Sequence, residues 1–217
     1  MAIMSGVKIT DVRIANFRSL RDIEARLDNL TVLIGSNNAG KTSFLDALYI
    51  AIGAGRRPLG QDDIRVAPDE ALPPKDRNVV IDIKLRPILE DGTFADMFPE
   101  GSFWTSCWGS GITPADTEAS HEFMAFRTTM SWSMAKSDYV TERKFLKEWR
   151  SYDNWLTTPT QEKTLQFADI EPIALHYIDA KRDFDDDLHK QGSFWRRLTD
   201  DLDLKPNLVR IGHRVCG

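Results

Sequence analysis

The sequence predicts an α/β fold with an antiparallel β subdomain, and three observations carry that reading. A glycine-rich stretch, Gly35-Ser-Asn-Asn-Ala-Gly-Lys-Thr42, stands between a compact apolar run, Leu30–Ile34, and a segment of helical periodicity that begins at Lys41. Further on, Val79, Ile81, Ile83 and Leu85 alternate with Val80, Asp82 and Lys84, and the stretch from Met124 to Met134 alternates in the same way. A period of two is the mark of antiparallel strands with one face on a core. With 217 residues, of which 41% are hydrophobic and 28% charged, the chain can bury such a core.

Taken in order, Val7 and Ile9 and then Val12 and Ile14 alternate as two pairs, so the first strand carries an irregularity between them. Ile23–Leu27 is a second short strand. Leu30–Ile34 is apolar at nearly every position and is expected to be buried on both faces, running as a parallel strand up to Gly35. From Lys41 the residues Phe44, Leu45, Leu48 and Ile52 share one helical side, and Gly53 and Gly55 end the helix. Residues 56–78 are rich in Pro, Asp and Arg and form loops. Tyr139–Leu146 is the hairpin partner of 124–134. The aromatics between Phe98 and Gly109 pack beneath a loop in preference to stacking on bases. A strand at Ile173–Ile178 and a helix capped by Ser193 close the pattern. The resulting division is 1–60 for the first strands, the glycine-rich loop and its helix, 61–168 for a β-rich insertion, and 169–217 for a return strand and the start of a helical lobe.

The glycine-rich stretch has the Gly-x4-Gly-Lys-Thr spacing of a phosphate-binding loop, in the strand-to-helix setting that such a loop needs. Gly35 and Gly40 let the backbone curl close to an anion without a Cβ in the way. Amides from about Asn38 to Thr42 would bind phosphate oxygens at the helix N-terminus. Lys41 supplies a mobile charge to the outer phosphates, and the Thr42 hydroxyl would ligate a hydrated Mg²⁺. The candidate nucleotide site is therefore Gly35, Asn37, Asn38, Ala39, Gly40, Lys41, Thr42 and Ser43, with ATP and Mg²⁺ as its ligands.

Net charge of −5 argues against a uniformly basic nucleic-acid coat, although Lys181, Arg182, Arg196, Arg197, Arg210 and Arg214 gather late in the chain. Two cysteines, Cys107 and Cys216, form no disulfide framework, and no signal peptide or spanning apolar run is present. The expected location is the cytoplasm, with no membrane partner.

Two blocks suggest a family. Ile14-Ala-Asn-Phe-Arg-Ser-Leu20, followed by Leu33-Ile-Gly-Ser-Asn-Asn-Ala-Gly-Lys-Thr-Ser-Phe-Leu-Asp-Ala-Leu48, resembles the N-terminus of ABC-type ATPases of the RecF/SMC group. Leu175-His-Tyr-Ile-Asp-Ala-Lys-Arg-Asp-Phe-Asp-Asp-Asp187, with Ser193-Phe-Trp-Arg-Arg-Leu198, resembles the OLD family of ATP-dependent endonucleases. The resemblance implies the N-terminal lobe of a P-loop NTPase, an ABC-type ATPase head of the wider AAA class, with the antiparallel subdomain inserted. It also implies Asn16, Phe17 and Arg18 near the nucleotide, and Asp179 and Arg182 in the return-strand region that senses the γ-phosphate. The glutamine common there is absent, and Gln61 is the other candidate, although it lies in a loop before the β lobe.

No catalytic set is complete in this chain. The family's Ser-Gly-Gly signature is not found, Ala180 stands where a general-base Glu would follow Asp179, and the two-metal Toprim nuclease domain has no counterpart. Asp183–Asp187 is better read as a solvated turn than as a metal site, and His213 and Cys216 do not make one. The expectation is the N-terminal ATPase portion of an OLD-like endonuclease, lacking later parts of the head. It would act as a homodimer or with a chain that carries the signature motif and nuclease domain, and the family context adds DNA. The alternative is a non-catalytic ATP-dependent regulatory or partner subunit of a DNA-processing or anti-phage complex. A small-molecule kinase would share the loop but not the Asn16–Ser19 block.

Overall fold

The computed structural model describes residues 4–52, 59–115, 121–173 and 175. They fall in the first of two compact units, Met1–Leu175; the second, His176–Gly217, lies outside the described residues. With it go Asp179, Arg182, the Ser193 helix, the acidic run 183–187, His213 and Cys216, as well as Gly53 and Gly55 at the end of the first helix.

The described elements are β1 (Met4–Phe17), β2 (Leu20–Arg26), α1 (Lys41–Ile52), β3 (Val79–Leu89), α2 (Phe103–Trp108), β4 (Ile112–Thr113), β5 (Phe123–Ser133), β6 (Asp138–Leu146), β7 (Thr160–Thr164) and α3 (Phe167–Ile170). Seven strands make one sheet in the order β2-β1-β3-β5-β6-β7, with β4 on β5. Every pairing in it is antiparallel. Strands from 1–60 and 61–168 thus share a sheet, β1 lying directly against β3.

The irregularity in the first strand is a β-bulge. Ile9 pairs with Leu85 and Asp11 with Lys84, which leaves Thr10 as the extra residue. That single insertion turns Val7 and Ile9 to the same face as Val12 and Ile14. On this face Val12, Ile83 and Phe126 stand in register, as do Ile14, Ile81 and Thr128, all without solvent exposure. Helix α1 covers them with Phe44, Ala47, Leu48 and Ala51, while Leu45 points to solvent. Each fully buried aliphatic side chain here contributes roughly 1.5–3 kcal/mol. Arg143 of β6 donates to the carbonyls of Ile50 and Ala51 at 3.0 Å, closing the C-terminal end of α1.

The opposite face holds a row of charges across five strands, Glu24, Arg13, Asp82, Arg127 and Lys144, each the register partner of the next. Asp82 and Arg127 form a buried two-pronged pair at 2.7 and 2.8 Å. Arg127 also donates to the carbonyls of Trp155 and Leu156. Burial pushes the Asp82 carboxyl up, against the pull of Arg127 and Arg13. The 3₁₀ segment Tyr152–Thr157 lies over this face, with Trp155 buried and its indole donating to Asp22. Trp149 stacks on Arg13 at 4.2 Å.

The aromatics of 98–109 pack on one another at the main core. Phe98 and Trp108 are buried and meet edge to face, Trp104 packs on Trp108, and only Phe103 stays largely exposed. Packing beneath the surface accounts for them, as expected.

The expectation for Leu30–Ile34 is overturned. No strand forms between Arg26 and Lys41, and Leu30, Val32 and Ile34 are 82%, 68% and 91% exposed. Leu33 alone turns inward against the core. A strand apolar on both faces is stable only between parallel neighbours with layers on both sides. Among the described residues no strand lies beside this segment, so its outer side chains have nothing to cover them.

Candidate functional site

The phosphate loop sits where the β1–β2 turn meets the start of α1. Ala39 N–H donates to Ser36 O at 3.2 Å, so residues 36–39 close a tight turn, with Asn38 at φ 70°. Gly40 follows at φ 87°, and a Cβ there would lie 2.6 Å from Leu20 Cδ2. Both the backbone conformation and the space therefore require glycine. At Gly35 a Cβ would meet Ala39 Cβ at 2.8 Å. The two glycines of the motif thus remain necessary although the strand before them does not form.

The first intrahelical bond of α1 runs from Phe44 N–H to Gly40 O at 2.8 Å. The amides of Lys41, Thr42 and Ser43 lie ahead of it and have no acceptor among the described residues. They form the positive end of a twelve-residue helix, opening toward a loop exposed from Gly35 to Ala39. Lys41 folds back on that loop, its Nζ donating to Gly35 O at 2.6 Å and Ser36 O at 2.7 Å. A phosphate oxygen offers this ammonium a charged acceptor in place of two neutral ones, which is the stronger bond. Thr42 is exposed beside it, so a hydrated Mg²⁺ can reach its hydroxyl. No group of three or more His, Cys, Asp or Glu that could hold a metal ion gathers among the described residues. The residues present fit a triphosphate with Mg²⁺.

The turn block behaves unevenly. Phe17 is a core side chain with no exposed surface. Asn16, at φ 58°, donates through Nδ2 to Asn78 O at 3.0 Å. It lines a cleft of about 450 Å³ with Asp76, Arg77, Asn78, Val80 and Leu156. Arg18, at φ 47°, is drawn to the phosphate-loop helix by an ion pair with Asp46 and to a second loop by a 3.0 Å bond to Asp63. Burial works against its charge, and the two carboxylates outweigh that and raise its pKa. Ser19 Oγ lies 3.3 Å from Ser43 Oγ. Gln61 stands exposed at the start of the 3₁₀ turn Gln61–Asp63.

Leu20, Asp46 and Asp63 escaped sequence reasoning. Asp46 could have been found, because it lies on the same helical side as Thr42 and Ser43. Asp63, buried in a loop twenty residues beyond the motif, gives no local signal.

With this geometry in view, residues 7–94 match the family model described as AAA ATPase domain. The observed fold, α/β with an antiparallel sheet, is consistent with the N-terminal lobe of a P-loop NTPase. The match supports ATP binding. Among solved structures the chain is similar to an SMC ATPase studied for ATP-driven dimerization and DNA-stimulated activation, at 14% identity and a TM-score of 0.41, covering 75% of this chain and 74% of that one. No curated protein matches. No helix among the described residues is long and apolar enough to cross a membrane.

Proposed function

We propose that the chain binds ATP–Mg²⁺ on residues 35–43 as the N-terminal ATPase portion of an OLD-like ATP-dependent endonuclease. The observation that carries the proposal is Lys41, held by the carbonyls of Gly35 and Ser36 above three uncommitted helix amides. The amides of Lys41, Thr42 and Ser43 receive phosphate oxygens, Lys41 moves from the loop carbonyls to the outer phosphates, and Thr42 ligates the metal. The nucleotide supplies the γ-phosphoryl group whose loss would drive any conformational change. Turnover by this chain alone is slow, because Ala180 stands where the family's general-base Glu would follow Asp179. Dimerisation or pairing with a signature-bearing chain, DNA as the eventual substrate, roles for Asp179 and Arg182, and a cytoplasmic location belong to the same proposal.

The test is a titration of the purified chain with a fluorescent ATP analogue and Mg²⁺. Binding is expected, with Lys41→Ala weakening it at least about tenfold. Absence of binding by the wild-type chain rejects the proposal, and brisk hydrolysis by it rejects the slow-turnover part.

A second reading, a non-catalytic partner subunit that uses ATP to drive assembly, is favoured by the exposed Leu30, Val32 and Ile34. Three exposed apolar side chains at alternate positions before the phosphate loop suit a strand added from another polypeptide. An ATP-dependent rise in mass by light scattering, abolished by Val32→Lys, supports this reading; a mass unchanged by ATP rejects it.

A further inference from the structure

The β1–β2 turn touches the phosphate-loop region at three points, and Arg18 holds it there. Leu20 fills the space where Gly40 lacks a Cβ, Ser19 meets Ser43, and the Arg18 guanidinium bridges Asp46 on α1 and Asp63 on the following loop. Backbone bonds reinforce the bridge. Arg18 N–H donates to Asp63 O at 2.8 Å and Arg65 N–H to Asn16 O at 2.9 Å, and Phe17 pairs with Ile64. Asp63 is itself wedged in place, accepting from Gly60 N–H at 3.0 Å and almost wholly buried.

Arg18 pays a conformational penalty to be there. A non-glycine, non-Asn residue at φ 47° is costly, and such strain persists where surroundings over-determine it. Glycine would relieve that strain; the arginine found here instead engages both carboxylates, Asp63 through Nε and Asp46 through Nη1. Meanwhile the support expected from a strand at 30–34 is missing. Among the described residues the turn lies against the loop's last glycine and the first turn of α1.

We infer that Arg18 is a positioning residue, which through Asp46 and Asp63 clamps the β1–β2 turn against Gly40 and Ser43 and so sets the phosphate loop for its ligand. The inference rests on the reading of residues 35–43 as a nucleotide site. In this role Arg18 acts on the ligand through the loop, without touching it.

The test uses the full chain and two readouts. Nucleotide affinity is measured with a fluorescent ATP analogue and Mg²⁺ for the wild type, Arg18→Gly, Asp46→Asn and the double variant. Arg18→Gly removes the clamp while accepting the left-handed backbone, and is expected to weaken binding about tenfold. Asp46→Asn is expected to weaken it several-fold, and the double variant no further than Arg18→Gly, since both act through one bridge. Amide hydrogen exchange of the unliganded chain is the second readout. Exchange should accelerate over residues 35–43 in Arg18→Gly and stay unchanged in β3 and β5. Three results overturn the inference. One is an Arg18→Gly effect on affinity with none from Asp46→Asn, which makes Arg18 a direct ligand. The others are exchange over 35–43 unchanged in Arg18→Gly, and acceleration throughout the sheet, which makes the bridge a fold contact only. Failure of the wild type to bind ATP defeats the nucleotide reading, and the exchange result then still decides whether Arg18 clamps the loop.

Discussion

Two stretches of this molecule reverse the usual order of inside and outside. Across the second face of the sheet, Arg13, Asp82 and Arg127 are buried charges; at 30–34, Leu30, Val32 and Ile34 are exposed hydrophobics. Hydropathy alone would have exchanged them. What separates them is the supply of partners. Asp82 meets a two-pronged guanidinium, and Arg127 finds carbonyls on the covering segment besides, so this pair has partners in place of water, although burial still raises the Asp82 pKa. Leu30–Ile34 has neither a neighbouring strand nor a covering layer among the described residues, so its apolar character gains nothing locally.

The largest effect is expected from breaking the buried pair. Arg127→Ala leaves Asp82 desolvated and alone, and should cost about 3–5 kcal/mol in urea unfolding. Pairing it with Asp82→Leu should recover much of that loss, because the stranded charge is gone. If Arg127→Ala proves neutral, water reaches Asp82 and the face is not dry.

A buried and an exposed apolar residue can be set side by side in the same assay. Ile83→Ala, in the middle of the core, should cost about 2–5 kcal/mol. Val32→Ser should change stability by less than about 0.5 kcal/mol. A comparable loss at both sites would mean that 30–34 packs as a buried strand after all.

Gly40→Ala should cost about 1–2 kcal/mol, from the left-handed backbone and the contact with Leu20, and should weaken nucleotide binding in parallel. Gly92, at φ 81° with open space around it, is the matched control: strain without crowding, and no effect on nucleotide.

The smallest effect concerns the loop at 67–77. Arg77 grips the Glu70 carboxylate, and with the Ala67 N–H holds its pKa down at about 2, below the ordinary value. A depressed carboxylate contributes stability that is present above its unfolded pKa and lost as pH falls through the folded value. The difference in stability between wild type and Glu70→Gln should therefore be constant above about pH 5 and shrink toward zero near pH 2. A difference that grows on acidification contradicts the assignment.

Much of the fold was legible because local pattern and tertiary environment agree. The break between Val7-Ile9 and Val12-Ile14 marked the bulge at Thr10, since an odd offset between apolar pairs can share one face only if a residue is inserted. The alternation at 79–85 and 124–134 located β3 and β5, and Tyr139–Leu146 paired with the latter. The reading of 30–34 missed because an apolar run states what a segment needs, not whether its neighbours are at hand. The Asp82–Arg127 pair was hidden because alternation marks both as outward-facing; only the cross-strand register and the segment covering them bury both. For the site, the motif located the loop and Lys41, while Arg18's partners come from positions 46 and 63, which only the folded chain brings together.

By itself, then, the sequence determined the strand periods, the helix that begins at Lys41 and the glycine-rich turn that leads into it, because each depends on residues close in the chain. Tertiary structure alone decided which charges are buried, which hydrophobics are left in water and what braces the phosphate loop. Those outcomes depend on whether a distant partner is present to satisfy a group removed from solvent, and no local pattern encodes that.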